Sequence, residues 1–120
     1  MTKVESTIVF LPRFTTLAGN TTFHTLPLDV SRFGSAQFQV WRGELLDYDG
    51  GAPQFQVEME ESIDAQHWAL GASSPMAYKV QNDETRFFSH TFRLRWFRLK
   101  VTFPGGVEPM VTCWAEGILR

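Results

Sequence analysis

The stretch Arg95–Phe103 (RWFRLKVTF) constrains the fold of this chain more than any other. Phe97, Leu99, Val101 and Phe103 recur at every second position, with charged or polar residues between them. A period of two in aromatic and β-branched residues predicts a strand with one buried and one solvent-facing side. We therefore expect Phe97 to lie at the centre of a hydrophobic core.

A turn signal follows this strand. Pro104-Gly105-Gly106 combines a fixed φ angle with permissive ones, which favours a chain reversal. The run Pro109–Ile118 then leads back, so we interpret the two runs as the last hairpin of an all-β domain.

The segment Pro53–Glu61 (PQFQVEMEE) has the clearest alternation in the chain. Phe55, Val57 and Met59 point to one side, and glutamines and glutamates point to the other. We expect Phe97 to pack against Phe55 and Val57 of this strand.

The remaining strands are short and closely spaced. Eleven Phe and four Trp, with nine Gly and six Pro, favour strands and turns. No stretch of ten or more residues has helical periodicity. We predict a single domain over residues 1–120, an antiparallel β-sandwich of jelly-roll type with eight or nine strands. The further strands are expected at Ser6–Leu11, Phe23–Val30, Ala36–Arg42, His67–Leu70, Met76–Val80 and Thr85–Phe92.

Charge and cysteine content exclude several classes of protein. The net charge of −2 argues against a dedicated nucleic-acid binder. The single Cys113 cannot form an internal disulfide. It alternates with Val111 and Ala115, which favours a small buried residue over a nucleophile. No apolar run approaches the roughly 18 residues of a membrane span, and the apolar run before Pro12 is too short for a signal peptide. We expect a soluble protein of the cytoplasm or of a virion, with no membrane partner.

No catalytic, cofactor or metal site is predicted. Asp47 and Asp49 precede two glycines, but the spacing does not fit a calcium loop, and a solvated turn is favoured. His24, His67 and His90 are isolated in sequence, whereas metal ligands usually include a close pair. Neither a nucleophile turn nor a glycine-rich phosphate loop is present. We expect a non-enzymatic protein.

Two segments carry a resemblance to a known family. The stretch VEMEESIDAQHW, followed about thirty residues later by RWFRLKV, is similar to the galactose-binding-like or discoidin-like β-sandwich. Ala65 stands where that family usually has Gly. Asp64 is expected to bind the backbone of its turn, and Trp68 to cover the open end of the core. The matching residues are Ser62, Asp64, Trp68, Arg95, Trp96, Phe97 and Arg98.

The ESxDxxxW pattern in a small, cysteine-poor chain also resembles accessory structural proteins of tailed phages. Capsid decorations and tail components are the nearest kinds. This resemblance implies a structural or adhesive role and no site residues.

Charge is distributed unevenly along the chain. Seven of the thirteen acidic residues lie between positions 44 and 64, and five of the eleven cations lie between 86 and 100. One interpretation is that Glu58 and Glu60 pair with Arg98 and Lys100 on the outer faces of neighbouring strands. The other is a bipolar surface that meets other copies of the chain or a charged partner.

The tryptophans have two interpretations. Trp41, Trp96 and Trp114 fall out of phase with the apolar face of their strands, as exposed rings at sugar or protein interfaces do. The alternative is that they lie under loops or at the ends of the sandwich. Trp68 is a further candidate for stacking.

We hypothesise a non-enzymatic assembly module that binds its own copies or a larger particle, a capsid or a tail. The alternative is a carbohydrate-binding module. The candidate ligand or interface residues are Tyr48, Asp49, Trp68, Trp96 and Arg98. Nucleic-acid contact ranks third. The stripe of cations from Arg86 to Lys100, with Phe87, Phe88 and Trp96 interleaved, resembles a stacking groove, but neighbouring acidic residues weaken such binding.

Overall fold

The structure, a computed structural model, describes residues 5–19, 21–46, 54–70, 78–105 and 108–120. These residues form ten strands and no helix, so none of their segments is a helix long and apolar enough to cross a membrane. The extended run predicted at Phe23–Val30 divides into two strands, which raises the count from nine to ten. The strands are β1 (Ser6–Ala18), β2 (Thr22–His24), β3 (Leu28–Asp29), β4 (Ser35–Arg42), β5 (Phe55–Ser62), β6 (Ala69–Leu70), β7 (Tyr78–Val80), β8 (Glu84–Thr91), β9 (Trp96–Thr102) and β10 (Met110–Leu119).

The strands form two antiparallel sheets. The four-stranded sheet has the order β1-β10-β4-β8. The six-stranded sheet has the order β2-β9-β5-β6, with β3 also pairing with β9 and β7 with β5. The chain crosses from one sheet to the other after β1, β3, β4, β7, β8 and β9. This is the jelly-roll sandwich that the strand pattern predicted.

The predicted final hairpin is wrong. β9 pairs with β5 and with β2 and β3, whereas β10 pairs with β1 and β4 in the opposite sheet. The connection after β9 is therefore a crossover between sheets. Alternation identified both strands, but it carries no information about which sheet a strand joins.

The core lies between the two inner faces. Phe97 is fully buried, as predicted. The ring of Phe10, from the four-stranded sheet, contacts Phe38 in its own sheet at 5.2 Å and Phe97 in the other at 5.8 Å. Contacts of this kind join the sheets through aromatic edges and faces.

The expected partners of Phe97 are wrong. In the antiparallel register, Phe97 lies opposite Glu61, and Val57 lies opposite Val101. Phe55 lies beyond Val57, at the far end of the pair of strands. The alternation of each strand fixed which side chains point inward, but the register between the strands set their neighbours.

A close approach of two strands fixes the centre of the four-stranded sheet. At Gly117 in β10, a Cβ atom would lie within 2.5 Å of Phe38 Cα and closer still to the carbonyl oxygen of Gln37. Only glycine fits there, so β10 and β4 can pack at this distance.

We expect Gly117→Ala to destabilise the domain by about 1–3 kcal/mol or more, because the added methyl group overlaps backbone atoms. Gly34→Ala is the matched control, since a Cβ at Gly34 would meet only the carbonyl oxygen of Arg120 at 3.8 Å. Urea unfolding curves measure both variants. Equal stabilities would contradict the close approach of β10 and β4.

Candidate binding surfaces

The outer face of the six-stranded sheet carries paired charges. Glu58 lies directly opposite Lys100, and Glu60 lies opposite Arg98. Arg98 Nε donates to Glu60 Oε1 at 2.8 Å, and both side chains are mostly shielded, at 18% and 12% exposure. The local pairing predicted from the two alternating strands is confirmed. The ion pair of Glu60 with Arg98 offsets one acid and one cation of the bipolar surface that was the other interpretation.

Trp68 lies on this charged face. The guanidinium carbon of Arg98 lies 4.2 Å from the centre of the Trp68 ring, a cation–π geometry. Trp68 therefore covers Arg98 on the outer side of β9, and it does not close the end of the core as expected. One face of its ring is already occupied by the guanidinium group.

Trp96 lies on the same face of β9, two residues before Arg98. It is half-buried and lies opposite Ser62 in β5 and Asp29 in β3. Arg95 lies 5.6 Å from the Trp96 ring centre and binds Asp29 Oδ2 at 2.9 Å. Of the predicted candidates, Trp68, Trp96 and Arg98 thus share one surface. Tyr48 and Asp49 lie outside the described residues, as does the Asp47 loop.

The cations between residues 86 and 100 do not form one stripe. Arg86 belongs to β8 in the four-stranded sheet, whereas Arg98 and Lys100 belong to β9 in the other sheet. Phe88, expected in a stacking groove, is buried in the core. The contiguity on which nucleic-acid contact would depend is therefore missing.

The turn after β5 is held by one carboxylate. Asp64 Oδ1 accepts hydrogen bonds from the backbone N–H groups of Gln66 and His67, both at 2.9 Å, and from Ser62 Oγ at 2.9 Å. The backbone and side-chain hydrogen bonds from His67 lower the pKa of Asp64 well below its ordinary value. The predicted backbone bonding of Asp64 is confirmed. Ala65 has a φ of 63°, in the left-handed region where glycine is favoured.

A buried acid–base pair was missed by the sequence analysis. Glu61 and His90 are almost fully buried, and their side chains are 3.2 Å apart. Glu61 Oε1 also accepts from the backbone N–H groups of Arg93 and Leu94, at 2.6 and 2.9 Å. It thereby fixes the β8–β9 turn. Glu61 is in phase with the apolar residues of β5, which was the available signal that it points inward.

Burial lowers the pKa of His90, while its contact with Glu61 raises it. Burial has the larger effect, so His90 is neutral at pH 7. Its Nδ1 atom is buried and has no hydrogen-bond partner among the described residues.

No metal cluster is found in the part of the chain that the structure describes. No three His, Cys, Asp or Glu side chains there are arranged to hold a metal ion. Cys113 is fully buried, and burial raises the pKa of its thiol to about 12. A thiol in this state is a poor nucleophile, in agreement with its predicted role as a small core residue.

The outer face of the four-stranded sheet carries an aromatic patch, defined here as Arg13, Phe14, Trp41 and Trp114. Trp41 and Trp114 lie opposite each other in β4 and β10. The guanidinium group of Arg13 lies 4.6 Å from the Trp114 ring centre, and Phe14 meets Trp41 edge-on at 5.8 Å. Phe14 is 68% exposed. Phe14 is therefore the exposed ring of the patch, whereas Trp41 is half-buried and Trp114 is buried although it points to the outer face.

A bulge in β1 presents Phe14. The pairing of β1 with β10 shifts register between Leu11 and Thr15, and Thr15 Oγ1 donates to the carbonyl oxygen of Pro12 at 2.6 Å. Phe14 has a φ of 61°, a left-handed conformation that costs a non-glycine residue about 1–2 kcal/mol. The backbone is therefore strained at Phe14, the residue whose ring is most exposed in the patch.

A groove lies beside the aromatic patch on the same sheet face. It has a volume of about 650 Å³ and crosses all four strands. Arg13 binds Glu116 Oε1 through Nε at 3.1 Å, and this ion pair stands between the patch and the groove. Sequence analysis did not identify either feature, because both depend on strands that are distant in sequence.

Comparisons with known proteins bear on the fold alone. No protein-family model matches the sequence, and no curated protein matches it. Among solved structures, the chain is similar to PorU from Porphyromonas gingivalis, solved as a latent dimer. The TM-score is 0.52 with 8% sequence identity, over 96% of this chain and 12% of the PorU chain. The chain thus spans about an eighth of the length of PorU, and the likeness supports a β-sandwich fold only.

We expect Ala65→Gly to stabilise the domain by about 0.5–1 kcal/mol, because glycine adopts the left-handed conformation without the steric penalty. Ala69→Gly in β6 is the control, and we expect it to destabilise by about 0.5–1 kcal/mol. Thermal unfolding followed by circular dichroism measures both. If both changes destabilise the domain alike, the backbone at Ala65 is not left-handed.

We expect the domain to lose stability as the pH falls below about 6.5, the ordinary pKa of histidine. The unfolded chain binds a proton on His90 more readily than the folded one, so acidification favours unfolding until the pH reaches the lowered pKa of the folded state. We therefore expect a lower Tm at pH 5 than at pH 7.5.

The pH effect is assigned to His90 by substitution. His90→Gln should lose most of the difference in Tm between the two pH values, whereas His24→Gln should retain it. His24 is the matched control because burial lowers its pKa too, but its side chain is 38% exposed. An unchanged pH dependence in His90→Gln would rule out this explanation.

Proposed function

We propose that the chain is a non-enzymatic assembly module that binds protein through the aromatic patch. The observation that carries the proposal is the contrast between the two outer faces. One face carries charges that are paired with each other, and the other carries Phe14 and a half-buried Trp41 beside Arg13. Aromatic rings and arginine dominate the binding energy of protein interfaces.

The local geometry supports this choice of surface. Backbone strain outside a chain reversal is typical of functional sites. Phe14 is strained and exposed at once, and its ring contacts Trp41, another member of the patch. A partner that covers Phe14 would bury an apolar ring that the isolated chain leaves in water.

The partner in this proposal is another copy of the chain or a larger particle. The resemblance of the ESxDxxxW pattern to accessory proteins of tailed phages supports a capsid or tail as the particle. A location in a virion, or in the cytoplasm before assembly, belongs to the same proposal. The discoidin-like motif fits a binding role of this kind as well.

We expect Phe14→Asn to weaken self-association about 30-fold, which corresponds to the 2 kcal/mol lost when an interface hot spot is truncated. Asparagine tolerates a left-handed conformation, so the variant should fold with stability within about 1 kcal/mol of the original. Sedimentation velocity over a concentration series measures association, and thermal unfolding measures stability.

Leu26→Asn is the control for the loss of an exposed apolar side chain. Leu26 is 83% exposed and lies between β2 and β3, in the other sheet. Its substitution should leave association unchanged. Equal association of the two variants and the original chain would contradict the assignment of the aromatic patch.

A carbohydrate-binding function is the second candidate. The observation that favours it is the groove beside the patch, whose volume lies within the range of small-ligand sites, about 300–1,000 Å³. Trp68 is a poorer platform for a sugar ring than expected, because Arg98 occupies one face of it.

A further inference from the structure

We propose that the groove across the four-stranded sheet binds a neutral oligosaccharide. This inference deepens the second function proposed above and does not depend on the aromatic patch. It rests on four observations: the course of the groove, the chemistry of its lining, the compensation of its charges and one unsatisfied polar atom.

The groove crosses the strands and does not follow them. In one row across the sheet, Val9 in β1 lies opposite Glu116 in β10, which lies opposite Gln39 in β4, which lies opposite Phe87 in β8. Strands in a sheet are about 4.8 Å apart, so the groove extends roughly 14 Å from β1 to β8. It accommodates an elongated ligand that lies across the strands.

The lining alternates apolar and amide groups. Val9 and Phe87, at 54% and 62% exposure, stand at the two ends, and Ile118 lies between them. Gln37 and Gln39 supply carboxamides, each with donors and an acceptor. A pyranose ring has apolar C–H faces that pack on aromatic and aliphatic side chains, and hydroxyl groups that both donate and accept. The two sets of groups match.

The charged residues of the lining are compensated within the chain. Glu116 binds Arg13, and Arg120 binds Glu5 at 3.1 Å. A ligand in the groove therefore meets no unpaired charge from these two residues. This favours a neutral ligand over a sulfated, sialylated or phosphorylated one.

One polar atom at the groove is unsatisfied. Gln37 Oε1 is shielded from solvent and has no hydrogen-bond partner among the described residues, while Gln37 Nε2 donates to Ser35 Oγ at 3.2 Å. Shielded carboxamide oxygens normally accept a hydrogen bond. A rotation of the Gln37 side chain toward the groove brings this oxygen within reach of a ligand hydroxyl, which supplies the missing donor.

An extended peptide fits the groove less well. Peptides that bind sheets in extended form usually add along a free edge, where backbone groups are available. The floor of this groove is formed by β10 and β4, and each of these strands has a paired neighbour on both sides. Their backbone groups are already used in the sheet.

The first experiment is a glycan array that carries neutral, sialylated and sulfated oligosaccharides, probed with the full chain. We expect binding to neutral glycans only. Isothermal titration of the best neutral glycan then measures Gln39→Leu and Phe87→Ala, each expected to lower affinity at least tenfold. Gln56→Leu is the matched control, because Gln56 is a half-buried glutamine on the outer face of the other sheet, and it should bind as the original chain does.

The possible outcomes distinguish a failure of this inference from a failure of the proposed functions. Neutral glycans that bind all variants equally would overturn the groove as the site while leaving carbohydrate binding as a function. Binding to charged glycans alone would overturn the argument from compensated charge. An array without any bound glycan would overturn both the inference and the second function, and would leave the aromatic patch to be judged by sedimentation. Phe14→Asn, which lies outside the groove, should bind the glycan unchanged.

Discussion

The packing of two aromatic inner faces against each other is the constraint on which the rest of this structure depends. Phe10 contacts one ring in each sheet, Phe38 and Phe97, and so links the two layers. Because side chains alternate along a strand, an inward Phe97 forces Trp96 and Arg98 outward. The core therefore determines which residues are left on the two outer faces, where the candidate binding surfaces lie.

The alternation of apolar residues and the spacing of the turns predicted the strands and the fold class. The alternation at Pro53–Glu61 and Arg95–Phe103 located β5 and β9 to within two residues at each end. The uneven distribution of charge led us to expect that Glu58 and Glu60 pair with Arg98 and Lys100, and Glu60 does bind Arg98. The other pairing partners of the strands were not predictable. A period of two indicates which side a residue faces, but it says nothing about the neighbouring strand. The false hairpin and the misplaced partners of Phe97 have this common cause.

The binding surfaces were less predictable, for a related reason. Trp41 and Trp114 were correctly placed out of phase with the core, but their proximity follows from the pairing of β4 with β10. Phe14 joins them only because β1 bulges after Leu11 and then resumes its pairing at Thr15. A bulge shifts every later residue by its own length, and no propensity in this segment reports the shift.

The three described non-glycine residues with positive φ show why Phe14 is different. Ala65 and Asp83 lie in turns, where a left-handed residue reverses the chain. Phe14 lies within the span of β1, where the chain continues in the same direction. The strain there serves to place a ring against Trp41, whose indole N–H is held by Asp83 Oδ1 at 3.0 Å. Side chains that are already fixed in the free protein lose little conformational entropy on binding. This lowers the free-energy cost of binding by about 0.5–1.5 kcal/mol for each one. An organised aromatic surface of this kind is suited to recognition, and the strain at Phe14 is the cost at which the fold maintains it.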